Sequence, residues 1–370
     1  MSTVDSDRLR IIWVNWRDTR HPQGGGSERY VERIAAGLAA RAHRVTVVCA
    51  EHDRAAKGDW VDGVKFQRRG GRLTVYWHAL LTVRRTRADV IVDVQNGLPF
   101  FSRLVARCPV IVLVHHVHRE QWRILFDPLR AAVGWWMERR LARWLYHNCR
   151  YVTVSESTRA ELAVLGVRPA RVTVVPNGLD PVPVARVAPA PQPVLVAVSR
   201  LVPHKQLDHA IEVVARLRDR IPTLRLEIIG QGPSLADLRE YAHRRGVADR
   251  VVLHGWLDEV GKHDVLDRSW IHLCPSAKEG WGLSIVEAAA HGVPTVAYTS
   301  AGGVCESVRD GRTGLLAADL DQFVAHVDRL LREPELRCAM AEQCRVHAAR
   351  FTWQHGVDQF EALARSVRAQ

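Results

Sequence analysis

The sequence predicts an α/β protein made of two doubly wound, Rossmann-like domains that face a central cleft. Short runs of β-branched residues alternate with helical stretches along the chain, which is typical of parallel sheets covered by helices. A proline-rich segment at 181–193 interrupts the alternation and cannot continue either sheet. At 370 residues the chain is also long for one hydrophobic core and has the length of two ordinary domains.

The predicted strands form two series. The first lies at 10–15, 45–49, 90–94, 110–114, 151–154 and 172–175. The second lies at 194–198, 224–229, 250–253, 270–274 and 293–297. We therefore predict an N-terminal domain over 1–180, a linker over 181–193 and a C-terminal domain over 194–350. The last helix, at 351–370, is predicted to pack back on the first domain.

The formal net charge of +12 belongs to the N-terminal half of the chain. Residues 1–180 contain 29 Lys and Arg against 17 Asp and Glu, whereas residues 181–370 contain 23 of each class. We infer that the first domain meets something anionic, such as a phosphorylated substrate, an anionic membrane face or a nucleic acid. An Arg-rich surface that only confers solubility is the alternative.

The remaining composition predicts a cytoplasmic globular protein. The sequence is polar through Arg10, and no apolar run approaches the ~20 residues of a spanning helix. Seven cysteines are scattered without a CxxC pair, which argues against a disulfide framework and against a zinc site. Most of these cysteines are expected to be small core residues.

Two carboxylates, Glu279 and Glu287, stand eight positions apart in a glycine-rich segment that follows the predicted strand 270–274. A helix is predicted over 283–291, and its free N–H groups and positive end suit a phosphate. Glu279 then lies on the preceding loop and Glu287 about one turn inside the helix, so both can reach hydroxyls of one ligand. A helix with an acidic start and a solvated Glu is the alternative.

Two cations, Arg200 and Lys205, lie five positions apart just after the predicted strand 194–198. The planar fork of Arg and the point charge of Lys are a suitable pair for a diphosphate leaving group. Ligands of doubly wound domains bind beyond the carboxyl ends of the strands. We therefore expect this loop and the Glu279 segment to converge on one crevice, although a solvated basic surface has the same pattern.

In the first domain, Gly24, Gly25 and Gly26 follow the strand 10–15 and open a helix of period 3.6. Consecutive glycines let the backbone approach a ligand closely. The segment is neither a Walker loop nor a GxGxxG fingerprint. A phosphate contact and a flexible lid or plain turn are both consistent with it.

Strand 110–114 ends in His115, His116 and His118, at the edge expected to face the cleft. A histidine there can act as acid or base, or can hold a sugar hydroxyl. A metal site and structural histidines bonded to backbone are the alternatives. Late in the chain, Asp319 and Asp321 form a DxD pattern that we interpret as a helix cap.

The segment 119–150 combines Arg and Trp side chains, with Arg139, Arg140 and Arg143 in an otherwise apolar helix. Basic residues beside Trp favour the surface of an anionic bilayer. A core helix whose Arg side chains extend to solvent is the alternative.

Together these motifs resemble the donor-site signature of the family 4 retaining glycosyltransferases of GT-B fold, which include bacterial phosphatidylinositol mannosyltransferases. The dense part of the resemblance lies at 279–287, Pro294, 301–303, Glu306 and 310–316. The thinner part lies at Gly25, Gly26, His115, 155–157, 176–178, Arg200 and Lys205. Ser199 and Gln206 depart from the family pattern, because both positions usually carry Gly.

The resemblance implies a nucleoside-diphosphate-sugar donor bound mainly by the C-terminal domain, an acceptor bound mainly by the N-terminal domain, and no metal or other cofactor. It implies that Arg200 and Lys205 hold the diphosphate, that Glu287 holds the donor ribose and that Glu279 faces the donor sugar. The remaining residues implied to contact the donor are Gly25, Gly26, Gly282, Leu283 and Ser284. His115 is implied to lie near the reacting centre, with His116 or His118 as alternatives.

We therefore expect a retaining, metal-independent hexosyltransferase of glycan or cell-envelope biosynthesis. It would move mannose, glucose or an N-acetylglucosamine type of sugar to an anionic, glycan or lipid-linked acceptor, as a cytoplasmic protein at the inner membrane face and without nucleic acid. One rival is a GT-B nucleotide-sugar epimerase. A second rival is a non-enzymatic basic module that binds membrane or nucleic acid.

Overall fold

In a computed structural model, the described residues are 8–119, 122, 127–183, 185 and 187–369. The chain divides into two compact units. Unit 1 comprises Met1–Gly178 with Thr352–Gln370, and unit 2 comprises Leu179–Phe351. Each unit contains a largely parallel sheet with helices, so the predicted α/β class is confirmed.

The sheet of unit 1 has, within the described residues, eight strands in the order β3-β4-β2-β1-β5-β6-β7-β8. Its neighbours pair in parallel, apart from the antiparallel pair of β3 and β4. The strands are β1 (Arg10–Val14), β2 (Arg44–Cys49), β3 (Gly58–Val61), β4 (Val64–Arg68), β5 (Val90–Gln95), β6 (Val110–Val114), β7 (Arg150–Thr153) and β8 (Val172–Val174). Every residue of β5 and β6 is buried, as expected for central strands covered on both faces.

The helices of unit 1 begin with α1 (Gly26–Ala40), α2 (Thr74–Arg85), α3 (Pro128–Trp136), α4 (Arg143–Leu145) and α5 (Glu156–Val164). A π-helical segment, Met137–Ala142, joins α3 to α4. Short 3₁₀ turns lie at Ser102–Leu104 and Pro169–Arg171. Asp127 caps α3 by accepting a hydrogen bond from the Arg130 N–H.

The sheet of unit 2 has six parallel strands in the described residues, in the order β11-β10-β9-β12-β13-β14. The strands are β9 (Val194–Val198), β10 (Arg225–Ile229), β11 (Val251–Gly255), β12 (Ile271–Cys274), β13 (Thr295–Tyr298) and β14 (Gly314–Ala317). Because β9 pairs with β10 on one side and β12 on the other, the strand order reverses between β9 and β12. Loops at such a reversal bind ligands in doubly wound folds.

The helices of unit 2 are α6 (Leu207–Leu217), α7 (Leu235–Arg244), α8 (Glu259–Arg268), α9 (Leu283–Ala290), α10 (Val304–Ser307), α11 (Leu320–Arg332) and α12 (Pro334–Ala348). Further 3₁₀ turns lie at Pro203–Lys205 and Ala248–Arg250. The core of this unit packs α6 and α11 on the sheet, with Leu217, Phe323 and Val327 fully buried.

The last helix, α13 (Trp353–Arg368), belongs to unit 1. Phe360 stacks on Trp13 of β1 with ring centroids 4.8 Å apart. Glu361 accepts a hydrogen bond from Arg41, which lies just after α1. These contacts hold α13 against α1 and the sheet of the same unit.

The linker segment 181–193 has no helix or strand in its described residues. Its C-terminal part is bonded to unit 2, because the indole Nε1–H of Trp270 donates to the Ala190 carbonyl over 2.9 Å. The predicted boundaries were 180 and 350, whereas the units divide after Gly178 and after Phe351.

The structure adds three strands that the sequence analysis did not predict, namely β3, β4 and β14. The β3–β4 hairpin turns at Asp62 and Gly63, whose φ angles are +48° and +76°. An Asp-Gly pair is a recognised hairpin signal, so this hairpin was within reach of sequence reasoning. In the part of the chain that the structure describes, each helix is too short or too polar to cross a bilayer.

Candidate active site

The start of α9 forms one wall of the candidate site in unit 2. Gly282 precedes the helix with φ +89°, a conformation that glycine adopts readily and that L-amino acids adopt only at a cost. Among the described residues, no side chain caps this helix, and no acidic residue lies in its first turn. The amides of Leu283 and Ser284 thus lie at a helix end suited to an anion.

The predicted convergence of the two loops is visible as an ion pair. Lys205, after β9, donates from Nζ to Oε1 of Glu279, after β12, over 2.5 Å. The same oxygen accepts from Ser276 Oγ over 2.7 Å. The side chains of Lys205 and Glu279 are only 13% and 14% exposed. The backbone N–H of Ala277 also donates to the His204 carbonyl, which joins the two loops a second time.

The environment of Glu279 favours its ionised form. Burial raises the pKa of this carboxyl, but the Lys205 charge and the hydrogen bonds from Lys205 and Ser276 outweigh burial and lower it. Ser199, Lys205, Ser276, Glu279 and Ser284 supply the polar lining of a small cavity. Arg200 lies half-buried on the same loop, outside that lining.

The loop that carries Glu279 is also fixed from the β13 side. The Glu279 N–H donates to the Ala301 carbonyl over 2.9 Å, and the Gly303 N–H donates to the Glu279 carbonyl over 3.1 Å. A Cβ atom at Gly303 would lie 2.1 Å from the Gly280 carbonyl oxygen, so only glycine allows this approach. The backbone N–H and the carbonyl of Glu279 are therefore both bonded to the segment that follows β13.

The departure from the family pattern at Gln206 has a structural cost. Gln206 adopts φ +47°, in the left-handed region where glycine is favoured. A non-glycine residue there costs about 1 kcal/mol. The loop nevertheless places Lys205 against Glu279, so the departure has not displaced the cation.

Glu287 lies in α9 but is paired with a residue that the sequence analysis did not single out. Lys262 of α8 donates from Nζ to Oε1 of Glu287 over 2.8 Å. Both residues are buried. The buried positions of α8 are 262, 265 and 266, so the helical period could have indicated that Lys262 faces inward.

In unit 1, His115 lies directly after β6 and is 5% exposed. Its ring packs edge-to-face on Tyr30, with centroids 5.3 Å apart. Burial lowers the pKa of His115 to about 4, against the opposing effect of Glu28. Within the described residues, its Nε2 has no hydrogen-bond partner. His115 is therefore a neutral imidazole at pH 7.

The other two histidines have different surroundings. The rings of His116 and His118 lie 4.2 Å apart. The backbone N–H of His118 donates to Oε1 of the buried Glu138, and the Trp122 indole donates to Oε2 of the same carboxylate. Glu138, on the π-helical segment, thus fixes the chain that follows β6.

The glycine segment ends at a buried carboxylate. The Gly25 N–H donates to Glu28 Oε2 over 2.8 Å, and Arg17 Nε donates to Oε1 over 3.0 Å. Glu28 is fully buried. The Gly25 amide is therefore engaged by Glu28, and the predicted approach of Gly25 and Gly26 to the donor phosphates stays a prediction.

The DxD pattern lies at the start of α11, as predicted for a helix cap. Asp319 caps α11 by accepting from the Gln322 N–H over 2.8 Å, which confirms the cap interpretation. Asp321 instead pairs with Arg216 over 2.6 Å. Over the described residues, no group of three or more His, Cys, Asp or Glu could hold a metal ion. Much of the segment 119–150 is described, but residues 120, 121 and 123–126 lie outside the described part.

Comparison with known families matches both halves of the chain. The model "Glycosyltransferase Family 4" matches residues 24–182, and the model "Glycosyl transferases group 1" matches residues 184–347. Together the two matches cover most of the chain.

Two curated relatives extend over most of the sequence. The GDP-mannose-dependent alpha-(1-6)-phosphatidylinositol monomannoside mannosyltransferase of Mycolicibacterium smegmatis is 31% identical, over 90% of this chain and 92% of the relative. The 2-deoxystreptamine glucosyltransferase of Streptomyces kanamyceticus is 33% identical, over 72% of this chain and 76% of the relative.

Among solved structures, sucrose-phosphate synthase from Thermosynechococcus elongatus is similar with a TM-score of 0.83. The alignment covers 98% of this chain and 100% of that one at 19% identity, which is informative about fold. The predicted GT-B fold is confirmed.

Proposed function

Because the chain belongs to the family 4 glycosyltransferases of GT-B fold, we propose that it is a retaining hexosyltransferase that uses a nucleoside-diphosphate sugar. The observation that carries the proposal is the Lys205–Glu279 ion pair beside the start of α9. A cation, a carboxylate and free helix amides at a strand-order reversal suit a diphosphate joined to a sugar.

The proposed reaction breaks the bond between the sugar C1 and the β-phosphate oxygen. A bond forms between C1 and the acceptor hydroxyl oxygen on the same face, and the hydroxyl proton passes to the departing phosphate oxygen. Negative charge then grows on the diphosphate and positive charge on the sugar. Arg200 and Lys205 stabilise the first, and the ionised Glu279 stabilises the second.

Further donor contacts are proposed for residues of α9 and for His115, Gly25 and Gly26. The amides of Gly282, Leu283 and Ser284 bind the β-phosphate, and Glu287 accepts hydrogen bonds from the ribose hydroxyls. His115 holds a sugar hydroxyl as a neutral imidazole, since its low pKa leaves little imidazolium at neutral pH. Gly25 and Gly26 approach the phosphates through Cα atoms.

The proposed enzyme needs no metal or other cofactor, because Arg200 and Lys205 supply the positive charge for the leaving group. Activity should therefore persist in an excess of a chelator such as EDTA. Loss of activity in EDTA that Mg²⁺ or Mn²⁺ restores would contradict this part of the proposal.

We further propose a lipid-linked or anionic acceptor at the inner face of the cytoplasmic membrane. The name of the Mycolicibacterium smegmatis relative contains phosphatidylinositol monomannoside, an anionic glycolipid, which supports this acceptor class. In unit 1 the surface of α3 and α4 adds support. Leu129, Val133, Trp136 and Trp144 are exposed there, with Trp136 at 57% and Trp144 at 70%.

Charge on the same surface suits anionic lipid. Arg139, Arg140 and Arg143 are exposed, while the neighbouring Glu138 is buried. Exposed Trp beside Arg favours the interface of an anionic bilayer. Sedimentation with vesicles of phosphatidylglycerol and phosphatidylcholine tests this surface. The R139E/R140E/R143E variant should lose vesicle binding, whereas Trp60→Ser, which removes an exposed Trp on β3, should keep it.

The enzymatic proposal is tested by incubating the protein with labelled UDP-, GDP- and ADP-sugars and a membrane lipid extract. Transfer of label to an acceptor, with the anomeric configuration of the donor kept, is the expected result. An epimerised sugar nucleotide formed without acceptor would favour the epimerase rival. Activity that is unchanged in Glu279→Gln and Arg200→Ala would remove the proposed site.

A further inference from the structure

Lys262 is a buried lysine that lies between two carboxylates. It is 7% exposed, and its Nζ lies 2.8 Å from Glu287 Oε1 and 2.9 Å from Glu259 Oε2. The side chain of Glu259 is 57% exposed, whereas Glu287 as a whole is 8% exposed. Interactions with exposed carboxylates are weakened by solvent. The strong partner of the Lys262 ammonium is therefore Glu287.

Lys262 lies in α8 and Glu287 in α9, and a second set of contacts joins the same two helices. His291, directly after α9, bonds through Nδ1 to Asp267 Oδ1 over 2.6 Å and through Nε2 to His263 Nδ1 over 2.7 Å. Because a carboxylate only accepts hydrogen bonds, the Nδ1–H of His291 donates to Asp267. Asp267 and His263 belong to α8. Helix α9 is thus held by α8 at its end and, one turn earlier, at Glu287.

We propose that Lys262 is a positioning residue for the donor ribose. Its ammonium holds one oxygen of Glu287 over 2.8 Å and so fixes the buried carboxylate in one orientation. An ionised carboxylate only accepts hydrogen bonds, so it is matched to the hydroxyl donors of a ribose.

This inference rests on the proposed function, in which Glu287 binds the ribose of the donor nucleotide. Lys262 acts through Glu287 and touches no reacting atom. Its removal should therefore weaken binding of nucleotides with ribose hydroxyls and leave other nucleotide contacts intact. It should also raise the KM for the donor without changing kcat at saturating donor.

The test compares the full-length protein with Lys262→Met, using calorimetric titration with a nucleoside diphosphate and with its 2′,3′-dideoxy form. We expect the affinity for the ribonucleotide to fall about tenfold, because the charge-assisted hydrogen bond between Glu287 and the ribose would no longer be held in place. For the dideoxynucleotide we expect a change of less than about twofold. Arg244→Met, which removes the exposed pair with Glu240 on α7, is the matched control and should bind both ligands like the wild type.

Equal losses for both nucleotides in Lys262→Met would overturn the proposal, because Lys262 would then be a general structural residue. Lys262→Gln keeps a hydrogen-bond donor without the charge. If the Met variant does not fold, the affinities of Lys262→Gln for the ribonucleotide and the dideoxynucleotide test the proposal instead. Glu287→Ala separates this inference from the proposed function. If Glu287→Ala keeps the preference for the ribonucleotide, the ribose assignment itself fails. If Glu287→Ala loses that preference and Lys262→Met does not, only the role of Lys262 fails.

Discussion

The ammonium of Lys205 and the carboxylate of Glu279 form an ion pair over 2.5 Å. The family resemblance implies that these residues face different parts of one ligand, the diphosphate and the donor sugar. A lysine ammonium has three N–H donors, so Lys205 can bond Glu279 and a phosphate oxygen at the same time. In the proposed reaction, the pair would therefore connect the two ends of the bond that is broken.

Removing Lys205 should harm both catalysis and stability. In Lys205→Met we expect kcat/KM to fall by about 100-fold or more, because a cation beside the leaving group is lost. We also expect the free energy of unfolding to fall by about 3 kcal/mol, because Glu279 would be left largely buried without its partner. Steady-state kinetics and urea unfolding measure the two effects. The control is Lys65→Met, at an exposed lysine of β4, which should change neither kcat/KM nor the free energy of unfolding. Wild-type kinetics in Lys205→Met would contradict the role proposed for Lys205.

The two carboxylates of the 279–287 segment should differ in their kinetic effects. Glu279→Gln should chiefly lower kcat, because Glu279 is proposed to face the charge that develops on the sugar. Glu287→Ala should chiefly raise the KM for the donor, because a ribose contact is made equally before and during transfer. Initial rates over a range of donor concentrations separate these effects. The reverse pattern would exchange the two roles.

His115 should remain neutral across the physiological range. Its pKa is lowered to about 4 by burial, so an unfolded chain binds a proton at this position between about pH 6.5 and pH 4, while the folded protein does not. His115 therefore lowers the stability of the fold progressively as the pH falls through that window. Ring ¹⁵N NMR of His115, assigned by comparison with His115→Gln, should show one neutral tautomer from pH 5.5 to 8. A titration midpoint near 6.5 would contradict the buried setting.

Glu361 should make the stability of unit 1 sensitive to acid. Burial raises the pKa of Glu361, but hydrogen bonds from Arg41, Arg365 and His43 outweigh burial and lower it to about 2. Its contribution is therefore full above about pH 4.5 and is lost as the pH falls towards 2. Glu361→Gln should cost about 2 kcal/mol at pH 7, and its difference from the wild type should shrink at acid pH.

Denaturant unfolding at pH 7 and pH 3.5 compares Glu361→Gln with the wild type. The control is Glu240→Gln, which removes an exposed pair with Arg244 and should cost less than about 0.5 kcal/mol at either pH. A Glu361→Gln penalty that does not depend on pH would show that the ion pairs do not hold α13 in place.

The parts of the fold that the sequence predicted are those with strong local patterns. Strands such as β6 are continuous apolar runs, and the glycine-rich entry to α9 is marked by Gly282, so both were found to within about a residue. Strand β14 was missed because its four residues are too few to show a period of their own. The β3–β4 hairpin was missed although Asp62 and Gly63 gave a turn signal.

The candidate site was predictable where residues follow the ends of strands. Parallel strands end at a common edge, and this rule was enough to expect that Lys205 and Glu279 come together. Lys262 was not predictable in the same way, because it lies within α8 and not at the end of a strand, and its partner Glu287 lies on another helix. Glu28 was missed for a different reason. Its role depends on Arg17, which follows β1 in an irregular loop with no pattern to mark the contact.

The central claim is that unit 2 binds a nucleoside diphosphate through Arg200 and Lys205. Thermal unfolding with UDP, GDP and ADP, each added in excess, tests it most directly, because a ligand that binds the folded state raises the unfolding midpoint. We predict that at least one of the three raises the midpoint of the wild type and that this rise disappears in the R200A/K205A variant. The claim would be contradicted if none of the three nucleotides shifted the wild type, or if the variant shifted as much as the wild type.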